Sequence, residues 1–234
     1  MKTIGIIGGM GPLATVDLFQ KIILATKASK DQEHIPILID NNTAVPDRTA
    51  AILGQGPDPV PELVKSARRL KAQGADFLIM ACNTAHFFLP EVETQVEIPF
   101  INMLEETAAY CKKCNTKKAG LLATPGIYRS GIYHRAFEKL GVGLMEPNDR
   151  QAETVHKVIY EGVKAGRTDY DVRDFRNVLR QMQSEGADCF VLGCTEMPLA
   201  VTLYNIPGRF VDATQVLAEA AVRRAGAECL SSLE

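Results

Sequence analysis

The feature that most constrains this chain is an internal repeat. Gln73-Gly-Ala-Asp-Phe-Leu-Ile-Met-Ala-Cys82-Asn-Thr aligns with Glu185-Gly-Ala-Asp-Cys-Phe-Val-Leu-Gly-Cys194-Thr-Glu at an offset of 112 residues. Two weaker matches follow the same order: Glu97-Ile-Pro99 with Asn205-Ile-Pro207, offset 108, and Ile4–Gly9 with Ala119–Pro125, offset about 115. Two copies are too few for a solenoid, so the natural solution is two similar halves facing each other.

Each half alternates short apolar runs with helix-length amphipathic stretches. Thr3–Ile7, Ile35–Ile39, Phe77–Ala81, Phe100–Ile101, Ala119–Ala123, Val142–Met145, Cys189–Leu192 and Phe210–Val211 read as buried strands. Ala14–Ala28, Pro61–Gln73 and Asp174–Glu185 carry apolar residues at helical spacing, and Pro12 suits the first turn of a helix. This alternation predicts an α/β fold with parallel sheet. Pro99 and Pro207 each precede a short strand where the chain can cross over. The expected domains are therefore 1–98 plus 208–234, and 99–207, with the last strand and helix returning to the first half.

At 234 residues the chain is long enough for two small units. A net charge of −2 offers nucleic acid no electrostatic footprint. No apolar run reaches the roughly 18 to 20 residues of a membrane helix, and Gly8, Gly9, Gly11 and Pro12 interrupt what would otherwise imitate a signal sequence. A cytoplasmic protein without a membrane partner is the expectation. The closing Leu233-Glu234 reads as a cloning remnant. Six cysteines without dense spacing suit reduced thiols, and Cys111-Lys-Lys-Cys114 lacks the second ligand pair of a metal site, so no metal is expected.

In open parallel sheets ligands bind beyond the carboxyl ends of strands. The repeat puts one thiol at that edge in each half, Cys82 after Phe77–Ala81 and Cys194 after Cys189–Gly193. A free Cys is ordinarily a packing residue, and Cys189 and Cys229 are read that way. Duplication at the ligand edge sets Cys82 and Cys194 apart. Two opposed thiols suit stereoinversion at an acidic carbon, one removing a proton from one face while the other delivers a proton to the opposite face.

Other residues gather at the same edges. Gly9-Met10-Gly11-Pro12-Leu13-Ala14 matches a dinucleotide-binding turn, with Asp40 ending the second strand, and supports a rival: a nicotinamide-dependent oxidoreductase. The equivalent turn in the second half, Thr124-Pro125-Gly126, lacks that pattern, so a tight strand-to-helix turn competes, with Met10 and Thr124 lining a cleft. Arg48 follows the second strand and Lys164 lies 116 residues later, close to the cysteine offset, which would give each half one thiol and one cation. Solvated surface cations are the bland alternative. His86 and Glu196 lie near the thiols and can assist proton transfer or simply start helices, where Glu is favoured by the dipole.

At these residues the sequence resembles the aspartate/glutamate racemase superfamily, and within it the cofactor-independent aspartate racemases. The resemblance runs from Ile4–Thr15 through Asp31-Gln-Glu-His34, Pro46-Asp-Arg-Thr-Ala50, Met80-Ala-Cys-Asn-Thr-Ala-His86 and Gly120–Thr124 to Ile159–Gly166 and Gly193-Cys-Thr-Glu196. It implies two pseudosymmetric Rossmann-like domains with the active site in the cleft between them. It also implies no pyridoxal phosphate or other cofactor, and Cys82 and Cys194 as the acid/base pair. Substrate contacts from Met10, Arg48, Asn83, Thr84, Thr124, Lys164 and Thr195, and a homodimer, are implied in the same way. A basic pair favours a dicarboxylic amino acid, because Arg can grip a carboxylate with two donors and Lys adds a point charge. Glutamate racemases and maleate isomerases share parts of the cysteine pattern and are the nearer alternatives. A non-catalytic small-molecule binding protein is the remaining one.

Overall fold

A computed structural model describes residues Met1–Ser231; Leu233 and Glu234 lie outside the described residues. The chain divides into two units, Met1–Glu106 with the segment from Thr214, and Thr107–Ala213.

In the first unit β1 (Ile4–Gly8), α1 (Pro12–Ala25), β2 (Ile37–Asn41), α2 (Arg48–Ile52), α3 (Val60–Ala72), β3 (Phe77–Met80) and α4 (Leu89–Gln95) follow in order. Helix α5 (Met103–Lys113) carries the chain into the second unit. There β4 (Lys118–Leu122), α6 (Pro125–Ser130), α7 (Ile132–Glu138), β5 (Gly143–Met145), α8 (Asp149–Lys157), a π-helical turn at Val158–Val163, α9 (Arg173–Ser184), β6 (Cys189–Leu192), α10 (Met197–Leu203) and β7 (Phe210–Asp212) follow. Helix α11 (Ala213–Ala225) returns to the first unit.

Both sheets are parallel, with strand orders β2-β1-β3 and β5-β4-β6-β7. Their central strands are buried on both faces, as their unbroken apolar runs require. Val60, Leu63, Val64, Ala67 and Leu70 put the apolar stripe of α3 into the first core. Phe175, Val178, Leu179 and Met182 do the same for α9 in the second. Each fully buried Val, Leu, Phe or Met side chain among them contributes about 1.5 to 3 kcal/mol.

The Gly-Ala-Asp repeat has a structural cause in both units. Gly74 and Gly186 adopt φ +99° and +102° just beyond the ends of α3 and α9, a backbone region that other residues enter only at a cost. Their amides donate to Lys71 O and Gln183 O at 3.0 Å, and the following Ala75 and Ala187 amides donate to Leu70 O (3.1 Å) and Met182 O (3.0 Å). This paired closure ends each helix and turns the chain into a strand. The aspartates then tie that strand to its neighbour. Asp76 Oδ2 accepts from Thr3 N at 2.6 Å, ahead of β1, and Asp188 Oδ2 accepts from Lys117 N and Lys118 N at 2.7 and 2.9 Å, at the start of β4.

The expected crossover points require correction. Phe100, assigned to the second half, bridges Leu78 of β3 in parallel within the first unit. Strand β7, assigned to the first half, pairs Phe210 with Phe190 of β6 in the second. Leu78 and Phe190 are themselves repeat partners. Each Ile-Pro therefore leads into a segment that adds to the sheet edge of its own unit, and the chain crosses afterwards, through α5 and at the start of α11. Domain assignments shift by about the length of that edge segment at both places.

Candidate functional site

In the first unit, Ala81 N donates to Ile7 O at 3.0 Å, the last main-chain bond between the end of β3 and β1. Cys82, Asn83 and Thr84 follow, all buried, and the chain tightens into a 3₁₀ turn at Thr84–Phe87. Cys82 thus stands at the carboxyl edge of the sheet. Met10 stands in the loop after β1, also buried.

The glycine turn after β1 is a packing device. Gly9 has φ +86°, and a Cβ there would lie 2.4 Å from the Asn42 carbonyl carbon and oxygen. At Gly8 a Cβ would lie 2.4 Å from the Thr15 side chain. Gly9 N donates to Thr15 Oγ1 at 2.9 Å, which locks the turn onto α1. Asp40, which a dinucleotide ribose would need, is instead ion-paired with Arg69 at 2.7 Å. These contacts account for Gly8, Gly9 and Asp40 without a nucleotide, whereas a Cβ at Gly11 would meet nothing within 4 Å.

Arg48 is the first residue of α2, behind an Asp47 N-cap that accepts from Ala50 N at 2.7 Å. Its guanidinium turns toward the loop that follows β1, Nη2 donating to Met10 O at 3.1 Å. Nη1 donates to Pro46 O at 2.8 Å and Val45 O at 3.3 Å. Its Nε–H is shielded from solvent and has no partner among the described residues. Arg48 and Met10 are therefore brought together, with donors of the five-N–H fork left over.

The second unit assembles a tighter cluster. Cys194 and Thr195 follow Gly193 at the carboxyl end of β6, both buried. Cys194 Sγ donates to Glu196 Oε2 at 3.0 Å, and Thr195 Oγ1 donates to the same oxygen at 3.2 Å. The other oxygen of Glu196 lies 3.5 Å from Lys164 Nζ, and that ammonium sits 4.5 Å from the centroid of the Tyr160 ring. Lys164 closes the π-helical turn and reaches Glu196, the residue ahead of α10. Thr124 caps the start of α6 after β4, buried, its Oγ1 without a partner among the described residues.

Electrostatics set the protonation states. Burial pushes the Cys194 thiol well above the ordinary range, and the charge of Glu196 pushes further in the same direction; Lys164 only partly opposes them. The resting Cys194 is a thiol that already points its proton at a carboxylate. For Lys164, burial works to lower the pKa but Glu196, Tyr160 and Cys194 outweigh it, so the group stays charged. Glu196, which residue type and position alone present equally as a proton-transfer aid or a helix-start residue, is the hub of the cluster. Its signal in the sequence is the Cys-Thr-Glu run, but only the fold shows which way the carboxylate turns.

His86 is enclosed in the first unit, and burial drives its pKa down to about 4. An unfolded chain takes up that proton near pH 6.5, whereas the folded one refuses it until about pH 4. Stability is therefore complete above pH 6.5 and falls as the pH drops toward 4, with a limiting slope of about 1.4 kcal/mol per pH unit. Urea unfolding followed from pH 7 to 4.5 should show that slope in the wild type and a shallower one in His86→Asn. Equal slopes would place the acid sensitivity elsewhere.

The remaining thiols take no part in these clusters. Cys111 and Cys189 are buried, and Cys189 Sγ lies 3.9 Å from Thr116 Oγ1. Among the described residues no group of three or more His, Cys, Asp or Glu is arranged to hold a metal ion, and no helix is long and apolar enough to cross a membrane.

Comparison with known proteins places the chain in a family. The model of the Asp/Glu/Hydantoin racemase family matches residues 7–221. A solved aspartate racemase of Picrophilus torridus is 33% identical with a TM-score of 0.85, over 98% of this chain and 96% of that one. The broad specificity amino-acid racemase RacX of Bacillus subtilis (strain 168) is 24% identical over 225 residues, 94% of this chain and 96% of its own length. A glutamate racemase of Desulforudis audaxviator is 30% identical over 149 residues, which span 61% of this chain and 54% of that protein. The chain belongs to the Asp/Glu/Hydantoin racemase family.

Proposed function

We propose that the protein is an aspartate racemase that interconverts L- and D-aspartate by 1,1-proton transfer between two cysteines, without a cofactor. The observation that carries this is the Cys194 cluster: a protonated thiol at a strand's carboxyl end, hydrogen-bonded to a carboxylate that is itself held by a lysine. The repeat supplies a second thiol, Cys82, at the equivalent edge of the other unit. One thiolate removes the α-proton, the opposite thiol delivers its own proton to the other face, and the two exchange roles in the reverse direction. The S–H bond of the donor breaks as the new C–H bond forms, so no redox change occurs.

A carboxylate is the natural ligand for the remaining Arg48 donors, and Lys164 supplies a second positive charge. Met10, Asn83, Thr84, Thr124 and Thr195, buried near the carboxyl ends of their sheets, are assigned to contact the rest of the substrate. Aspartate is favoured by the likeness to the Picrophilus torridus enzyme along nearly the whole chain. The likeness to RacX favours a second reading, a racemase that accepts several amino acids.

Incubating the protein with L-aspartate and no added cofactor, then separating enantiomers by chiral chromatography, tests the first reading; a panel with glutamate and neutral amino acids tests the second. No inversion of any of them overturns both. Arg48→Leu should raise KM for aspartate or lower kcat/KM by about one to two orders of magnitude, equivalent to a lost charge-assisted carboxylate contact of about 1.5 to 3 kcal/mol. Because the side chain also ties Met10 O to Pro46 O, circular dichroism and thermal melting must accompany the kinetics. Near-normal turnover in a folded Arg48→Leu would return Arg48 to a purely structural role.

A further inference from the structure

His86 belongs to the first unit, and neither of its ring nitrogens reaches solvent-exposed groups. Nδ1 lies 2.8 Å from the carbonyl of Cys82, and Nε2 lies 3.2 Å from the main-chain amide of Met103, the first residue of α5. An amide can only donate, so Nε2 carries the lone pair, Nδ1 carries the hydrogen, and the Cys82 carbonyl accepts it. The main chain is pinned a second time by His86 N donating to Asn83 O at 3.1 Å.

This arrangement answers a mechanical question. The Cys82 carbonyl lies one residue beyond the last main-chain bond from the end of β3 to β1. A side chain at that point inherits whatever freedom its own peptide groups have. A misplacement of about 1 Å in an acid/base group can cost about a hundredfold in rate.

We propose that His86 is a positioning residue for Cys82: its imidazole clamps the Cys82 carbonyl to the amino end of α5 and so fixes the direction of the thiol. The ring is not a proton relay, because both nitrogens are committed to main-chain groups and burial keeps the ring neutral throughout the neutral range. Its fixed tautomer is what lets one side chain join a carbonyl to an amide. The proposal rests on the racemase reading for its kinetic consequence, but not for its geometry.

The test compares His86→Asn, His86→Gln and His86→Leu in the full chain. Asparagine places its amide nitrogen near the position of Nδ1 and keeps the bond to Cys82, whereas glutamine reaches the position of Nε2 and keeps only the bond to Met103. His86→Asn should stay within about fivefold of wild-type kcat, while His86→Gln falls by about thirtyfold or more with little change in KM. Two further readouts separate positioning from stability. Exchange of the α-hydrogen of the enantiomer served by Cys82 should fall in His86→Gln, while exchange on the face served by Cys194 persists. The ratio of Cys82 to Cys194 alkylation by iodoacetamide, read by peptide mass spectrometry, should shift in His86→Gln and not in His86→Asn. If His86→Leu fails to fold, the asparagine and glutamine pair decides. Loss of activity in step with melting temperature, on both faces alike and with an unchanged alkylation ratio, overturns the proposal. A wild type that inverts no amino acid overturns the racemase reading alone, and the alkylation ratio still decides the role of His86.

Discussion

Cys82→Ala and Cys194→Ala should each lower racemisation of L-aspartate by about three orders of magnitude or more, while leaving the fold intact. The proposed mechanism gives each thiol one face of the α-carbon, so neither variant would retain a complete path. In deuterated water the wild type should place deuterium in the product before the recovered substrate, because the thiol that delivers the proton has already exchanged with solvent. Collapse without inversion returns the original hydrogen. A single swinging base would instead label both enantiomers together. Each variant should keep, at most, exchange of the α-hydrogen of one enantiomer, and the two variants should keep opposite ones. Equal early labelling of substrate and product, or good racemisation by either variant, would remove the two-thiol mechanism. Both substitutions are small volume changes at buried positions, so melting curves should accompany the kinetics.

Glu196→Gln should cut kcat/KM by about a hundredfold to a thousandfold. Burial and the neighbouring carboxylate keep Cys194 protonated, so in the proposed mechanism the thiol becomes a base only if its proton has somewhere to go, and Glu196 Oε2, 3.0 Å away, is the acceptor the geometry offers. Glutamine has the same size and can still accept the hydrogen bond, but it cannot hold the proton at neutral pH. The equilibrium constant of a racemisation is one, so kcat/KM must fall equally from L- and D-aspartate, which provides an internal check. A second readout moves the other way. Removing the negative charge lowers the Cys194 pKa, although burial still holds it above the ordinary range, so alkylation of Cys194 at alkaline pH should accelerate. Slower turnover with faster alkylation identifies Glu196 as the proton acceptor. Turnover within about fivefold of wild type would reduce it to a partner of Lys164.

The strands and long helices were legible because their apolar spacing reports burial directly. The repeat was legible for a more specific reason: the left-handed Gly74 and Gly186 and the strand-tying Asp76 and Asp188 leave little choice of residue. The crossings were not. Phe100 and Phe210–Val211 are apolar whichever sheet they join, and hydrophobic pattern carries no information about the partner strand. Spacing marked Lys164, but the contacts around Arg48 depend on how the Pro46 loop closes, which spacing does not encode. Glu196 was visible as a residue and invisible as a hub, because a carboxylate at the start of a helix has the same sequence whether it faces solvent or a thiol.

The route of the chain through its two units also sets an order of events. The second unit is one continuous stretch, Thr107–Ala213, whereas the first is completed only by α11, whose Val216, Leu217, Ala218, Ala221 and Val222 are buried. Lys2 N donates to Ala225 O and Leu230 N to Ala25 O, so the opening segments find these partners only after the rest has been made. On the ribosome, where chains emerge amino end first, the later unit can therefore close before the earlier one. Until α11 emerges, the unit bearing Cys82 lacks the partners of Lys2 and Ala25, so a single late element decides when that unit is complete.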